Sequence, residues 1–100
     1  MKNREYYDLD CRYDTRASFY GKAVVEEYED ENARTLHLLS YGTLVANIVY
    51  YKKKNERVYE YFGRYSCTTT RHQKEFFKQN GLSDKEIKEL FDKGVLRYEL

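Results

Sequence analysis

The chain has no proline and no tryptophan, one methionine and two cysteines among 100 residues. Without proline, no element is interrupted by a missing backbone N–H, so the punctuation falls to five glycines and to polar clusters. Two cysteines, Cys11 and Cys67, are too few for a disulfide framework. They read as reduced thiols of a cytoplasmic protein. No apolar run approaches the ~18 residues that span a bilayer, so no membrane partner is expected. The polar N-terminus reads as having no signal peptide. There is no glycine-rich phosphate loop, no G-x-S-x-G and no H-E-x-x-H.

Aliphatic bulk is scarce too. Hydrophobic residues make up 41%, but twelve of them are tyrosines, which pack with a polar end left wet. A chain this long folds as one domain that buries roughly 60–65% of its unfolded surface, with aromatics carrying much of the packing. Surplus tyrosine suits a binding surface, because it offers large contact area at low entropic cost. It also leaves a homodimer open.

The net charge of +1 hides an asymmetry. Residues 1–31 carry −4, residues 52–78 carry +5 and residues 79–100 carry −1. A DNA mimic would be acidic throughout and a non-specific DNA binder strongly basic, and this chain is neither. What remains is a local basic patch.

Residues 7–14 alternate, with Tyr7, Leu9, Cys11 and Tyr13 on one face and Asp8, Asp10, Arg12 and Asp14 on the other, which predicts a first strand. A second is predicted over 18–28, interrupted at Gly21, where a bulge or a close backbone approach is expected. An acidic turn at 29–32 follows, with Asn32 suited to a left-handed position. Further strands are expected over 35–41, 43–51 and 57–62, with a polar hairpin loop at 52–56. The period then changes. Thr69 or Thr70 can cap a helix running to about Asn80, with Gly81 as its left-handed stop. Ser83 and Glu86 form a capping box for a second helix over 84–93, which Gly94 ends, with Val95 placed to pack on Leu90. Residues 95–100 read as a tail or a last edge strand. The fold class expected is α+β: a five-stranded, mainly antiparallel sheet within 7–62, followed by two C-terminal helices packed on one face.

Three chemistries can be weighed. Cys67 before a helix start, with His72 five residues on, suggests a nucleophile pair, but nothing in the sequence orients the histidine. Cys11, Cys67, His37 and His72 are zinc-ligand types without a close pair. Asp8, Asp10 and Asp14 lack the loop glycine and bidentate Glu of a calcium site. No catalytic residue, metal or cofactor is therefore assigned. The basic constellation carries more. Arg71, Lys74 and Lys78 form one stripe on the first helix, next to His72, whose helix start is a natural anion site. Lys52, Lys53, Lys54, Arg57 and Arg64 extend the positive charge in sequence. Tyr59, Tyr61 and Tyr65 are interleaved with it as stacking platforms for bases. The plainer alternative is a solvated face with Arg71 and Glu75 as an i,i+4 pair.

Residues 13–23 (YDTRASFYGKA) and 65–76 (YSCTTTRHQKEF), with 40–46 (SYGTLVA) between them, resemble the signature segments of a small domain of unknown function found in short proteins of phages and mobile elements of Gram-positive bacteria. The resemblance covers roughly 13–81. It implies a context rather than an activity: a cytoplasmic, non-enzymatic protein of a bacterial host cell that binds a host defence protein or nucleoprotein complex, as an anti-CRISPR-like inhibitor does. DNA or RNA bound by the basic helix face is the alternative partner.

Overall fold

In a computed structural model, residues 3–99 are described. The elements run β1 (Asn3–Asp8), β2 (Ala23–Glu29), β3 (Ala33–Ser40), β4 (Thr43–Tyr51), β5 (Glu56–Tyr61), α1 (Cys67–Gln79), α2 (Asp84–Lys93) and β6 (Val95–Glu99). All neighbours pair antiparallel, in the order β1-β2-β3-β4-β5-β6. The fold is thus α+β, as expected, with six strands instead of five. The added strand is β6, which returns after the helices to pair with β5. Among the described residues, no helix is long and apolar enough to cross a membrane.

Residues directly opposite in the ladder share a face. Val25, Leu38, Ala46 and Tyr61 form one row, and Leu36, Ile48, Tyr59 and Leu96 the next. Both rows lie under the helices, with Phe76 and Phe77 of α1 and Leu90 of α2 fully buried against them. Burying each phenylalanine contributes on the order of 2–3 kcal/mol. Among the described residues, the other face of the sheet carries no helix.

Several boundaries differ from the sequence expectation. The first strand ends at Asp8, and residues 9–22 form a strap across α1 in place of the second half of that strand and the start of the next. The strap is held by side chains of α1, which no local periodicity reports. Gly21 makes neither a bulge nor a close approach: it sits in a turn, and a Cβ there would meet nothing within 4 Å. The 29–32 turn is closed by Asp30, whose Oδ1 accepts from the amides of Asn32 (2.8 Å) and Ala33 (3.0 Å). Asn32 itself is not left-handed. The cap of α1 is Ser66, three residues earlier than Thr69: its Oγ accepts from the Thr69 amide at 3.1 Å. Asn80, Gly81 (φ +96°) and the Ser83–Glu86 capping box fall where expected. Val95 is 41% exposed, so it does not pack on Leu90; its strand register turns it to the open face.

Candidate functional site

One face of α1 is apolar and lies on the sheet; the other carries Cys67, Arg71, Lys74 and Lys78 at successive helical turns. The strap 9–17 lies along this outer face because Glu75 holds it. Glu75 is 2% exposed, and its Oε1 accepts from three consecutive amides, Arg12 (3.1 Å), Tyr13 (2.8 Å) and Asp14 (2.9 Å). Its Oε2 accepts from Gln79 Nε2 at 2.6 Å, and Gln79 also donates to the Asp10 carbonyl at 2.8 Å. Glu75 is therefore not the partner of Arg71, which pairs instead with Asp14 at 3.1 Å. On the sheet side, Gln73 Nε2 donates to the carbonyls of Val45 (3.0 Å) and Gly63 (3.1 Å), which fixes the turn of chain carrying Arg64 and Tyr65 beside the start of the helix.

Three adjoining grooves follow. The first is lined by Asp14, Thr15, Arg64, Cys67, Thr70, Arg71 and Lys74. The second is lined by Tyr13, Asp14, Arg71, Lys74, Glu75 and Lys78. The third runs between the helices along Lys74, Lys78, Asp84, Ile87, Lys88, Phe91 and Asp92. Lys74 lines all three. Arg71 is taken up by Asp14, and Lys78 by Asp84 at 2.8 Å, whose carboxyl is held below its ordinary range by that bond and by the nearby Lys74. Among the described residues, Arg64, Lys74 and Lys88 have no carboxylate within ion-pair distance. Their charge is available to a partner.

An aromatic rim borders the N-terminal end of α1. Tyr20 (77% exposed), Tyr41 (57%), Tyr65 (51%) and Phe62 (41%) stand where β3 ends, β4 begins and β5 ends. Tyr20 and Tyr41 are left-handed, at φ +52° and +51°, each followed by a left-handed glycine. The two turns meet where the Tyr41 amide donates to the Lys22 carbonyl at 2.8 Å. A bulky residue held there carries about 1–2 kcal/mol of strain.

Of the residues singled out from sequence, Arg71, Lys74 and Lys78 share the α1 face, with Tyr65 and Arg64 at its head. The others lie elsewhere. Lys52, Lys53 and Lys54 sit on the β4–β5 hairpin at the far end of the sheet, by the C-terminus of α1, where Tyr50 bonds Asn80 (3.2 Å). There Lys52 pairs with Glu29 (2.6 Å) and Lys54 lies over Tyr51. Arg57 is turned to the helix side, over the Tyr50 ring and bonded to the Tyr59 hydroxyl at 2.8 Å. Tyr59 is fully buried, donating to the Asn80 carbonyl at 2.6 Å, and Tyr61 stacks on Phe91 at 4.3 Å. Neither is a free platform. The signals that sequence reading missed were Lys88, which a helical wheel of α2 would show, and the turn at Tyr20-Gly21, which matches the tight turn expected at Tyr41-Gly42.

His72 is 1% exposed and so offers nothing to a partner. Its Nδ1 lies 2.8 Å from Ser40 Oγ, itself 2.8 Å from Thr69 Oγ1, and its ring packs against Phe19 and Tyr41. Cys67, exposed on the other side of the helix, is not its partner. His37 lies on the uncovered face of the sheet, bonded to Glu26 at 3.2 Å, so the sheet separates the two histidines. Burial pushes the His72 pKa below its ordinary 6.5; Asp14 opposes this shift and Arg16 adds to it. The unfolded chain therefore takes up a proton that the folded chain declines. Stability is expected to fall as pH drops from about 6.5 toward the depressed value, before the carboxylates titrate. Urea midpoints measured across this range should decline in the native chain and stay flatter in His72→Gln.

A sequence model described as a family of unknown function, DUF8033, matches residues 7–93. No curated protein and no solved structure matches the chain.

Proposed function

The chain belongs to the DUF8033 family, and from the geometry of α1 we propose that it is a non-enzymatic binding protein whose outer helix face takes the backbone of a nucleic acid, free or within a nucleoprotein complex. One observation carries this reading: Arg64, Lys74 and Lys88, without ion-pair partners among the described residues, follow one another along adjoining grooves. Phosphate contacts of this kind supply most of non-specific affinity. The rim of Tyr20, Tyr41 and Tyr65 at the head of the grooves adds faces on which unpaired bases stack, at about 1–3 kcal/mol per base. Single strands are thus favoured over duplex.

The test is fluorescence anisotropy with labelled single-stranded and duplex DNA and RNA, at low and then physiological salt. Micromolar or tighter binding of single strands, falling steeply with salt, is expected. Absence of binding at low salt would remove the reading.

A second reading has its own support in the exposed tyrosines: inhibition of a host defence complex in the cytoplasm of a bacterium, as the resemblance to a phage and mobile-element domain suggests. It calls for a tight stoichiometric complex in which tyrosine and arginine side chains dominate the affinity. An alanine scan of Tyr20, Tyr41, Tyr65 and Arg71 against purified defence complexes would separate it from simple nucleic-acid binding.

A further inference from the structure

No described residue covers the face of the sheet opposite the helices, and the residues on it are ordered in rows. The central row crosses five strands: Tyr6, Glu26, His37, Asn47 and Glu60. It is held in place by its own bonds. Tyr6 donates to Glu26 Oε2 at 2.8 Å, His37 Nδ1 meets Glu26 Oε1 at 3.2 Å, and Asn47 Nδ2 donates to Glu60 Oε1 at 2.8 Å. Asn47 Oδ1, at the middle of the row, is buried without a donor. An apolar row, Val24, Leu39 and Leu44, flanks it toward one end of the strands; toward the other end the row is Tyr28, Thr35, Val49 and Val58, with Arg4 and Arg97 at its two ends.

The face is acidic. Asp8, Glu26, Glu56, Glu60 and Glu99 stand on it against Arg4 and Arg97, with Lys54 at its margin over Tyr51; Arg4 pairs with Glu26 at 3.4 Å and Arg97 with Glu56 at 2.8 Å, so among the described residues Asp8, Glu60 and Glu99 are the carboxylates of this face left without an ion pair. This charge decides among occupants. Phosphate is repelled. A second copy stacked face to face would set carboxylates against carboxylates. A cationic polypeptide fits. Five strands span about 19 Å at ~4.8 Å each, which is the length of a helix of about 13 residues. The flanking rows lie four residues apart along the strands, about 13 Å, close to the ~10–12 Å width of a helix with its side chains. We propose that this face docks a cationic amphipathic helix of a protein partner, with lysine or arginine over the Glu26–Glu60 row and apolar side chains on the rows beside it. The site lies on the opposite side of the sheet from the α1 grooves and does not depend on their function.

The probe is a labelled leucine/lysine amphipathic helical peptide of that length, with a leucine/glutamate counterpart of the same pattern. The basic peptide is expected to bind, and to shift the amide resonances of Glu26, His37, Asn47 and Glu60 while leaving those of α1 unmoved. The pair Glu26→Gln with Glu60→Gln is expected to weaken binding at least tenfold, whereas Glu31→Gln with Glu89→Gln, off this face, leaves it unchanged. Leu44→Ser, at an exposed position that the fold tolerates, is expected to weaken binding without altering the spectrum elsewhere. The proposal is overturned by no binding, by equal binding of the acidic peptide, or by shifts confined to the helices. It is equally overturned by a concentration-dependent dimer that occupies this face, or by an oligonucleotide that shifts the same resonances.

Discussion

Replacing Glu75 with alanine is expected to lower stability by about 3 kcal/mol or more. The reason is the number of groups that one carboxylate satisfies. Three consecutive amides of the strap point at Oε1, and Gln79 at Oε2. Hydrogen bonds to a charged acceptor are worth about 1.5–3 kcal/mol, and donors left buried without an acceptor cost about 1–3 kcal/mol. Glu75→Gln keeps an acceptor oxygen but loses the charge, so an intermediate loss is expected. Arg71→Ala removes a single ion pair whose arginine is 44% exposed, so it should cost no more than ~1 kcal/mol. Urea unfolding would rank the three variants. Hydrogen exchange adds a local check, because the amides of residues 12–14 should lose protection in Glu75→Ala. If Glu75→Ala cost no more than Arg71→Ala, the strap would not be held by this carboxylate.

That strap also marks where the sequence stopped being legible. From Ala23 to Tyr61 the strands were readable because each has one buried face, and alternation reports burial. The two helices were readable because their ends carry their own chemistry: Gly81, the Ser83–Glu86 box and Gly94. Residues 7–14 alternate as well as any strand, yet the amides of 12–14 bond a side chain more than sixty positions away. Alternation cannot tell a strand ladder from a strap that borrows its acceptor from a helix. The site was half legible for a similar reason. Helical spacing alone places Arg71, Lys74 and Lys78 on one face. Whether His72, Tyr59 and Tyr61 lie inside, and whether the hairpin lysines lie near or far, depends on strand register and on which face the helices cover. The sequence contains those facts only through the whole fold.

The same register explains how a chain of net charge +1 can present two opposed fields. Carboxylates dominate the uncovered sheet face, and the free cations lie along α1 and α2 on the other side. Neither face has enough charge to show in the total, and each is screened over about 8–10 Å at moderate salt, less than the 21 Å of the molecule's shortest extent. A partner arriving on one side therefore meets an excess of one sign of charge, with Arg4 and Arg97 as the minority on the sheet face and Asp14, Asp84 and Asp92 as the minority in the grooves.

The triple variant Arg64→Ala, Lys74→Ala, Lys88→Ala is expected to reduce affinity for a labelled single strand on the order of 100-fold at low salt. It should also lower the slope of log affinity against log salt by about 2, since each phosphate of a single strand that is no longer neutralised takes about 0.7 from that slope. These three positions are chosen because their cations have no ion pair to give up among the described residues, so their removal should leave stability within about 0.5 kcal/mol. Arg71 and Lys78 would confound the measurement, because truncating them releases Asp14 and Asp84 and makes the surface more acidic. The control is Lys53→Ala with Lys54→Ala, which removes two charges at the far end of the sheet and leaves the Lys52–Glu29 pair intact. If distance from the grooves matters, the control should bind within about twofold of the native chain with its salt slope nearly intact. An equal loss in both variants would mean that net charge alone is being measured, and no loss in either would move the binding surface to the tyrosine rim.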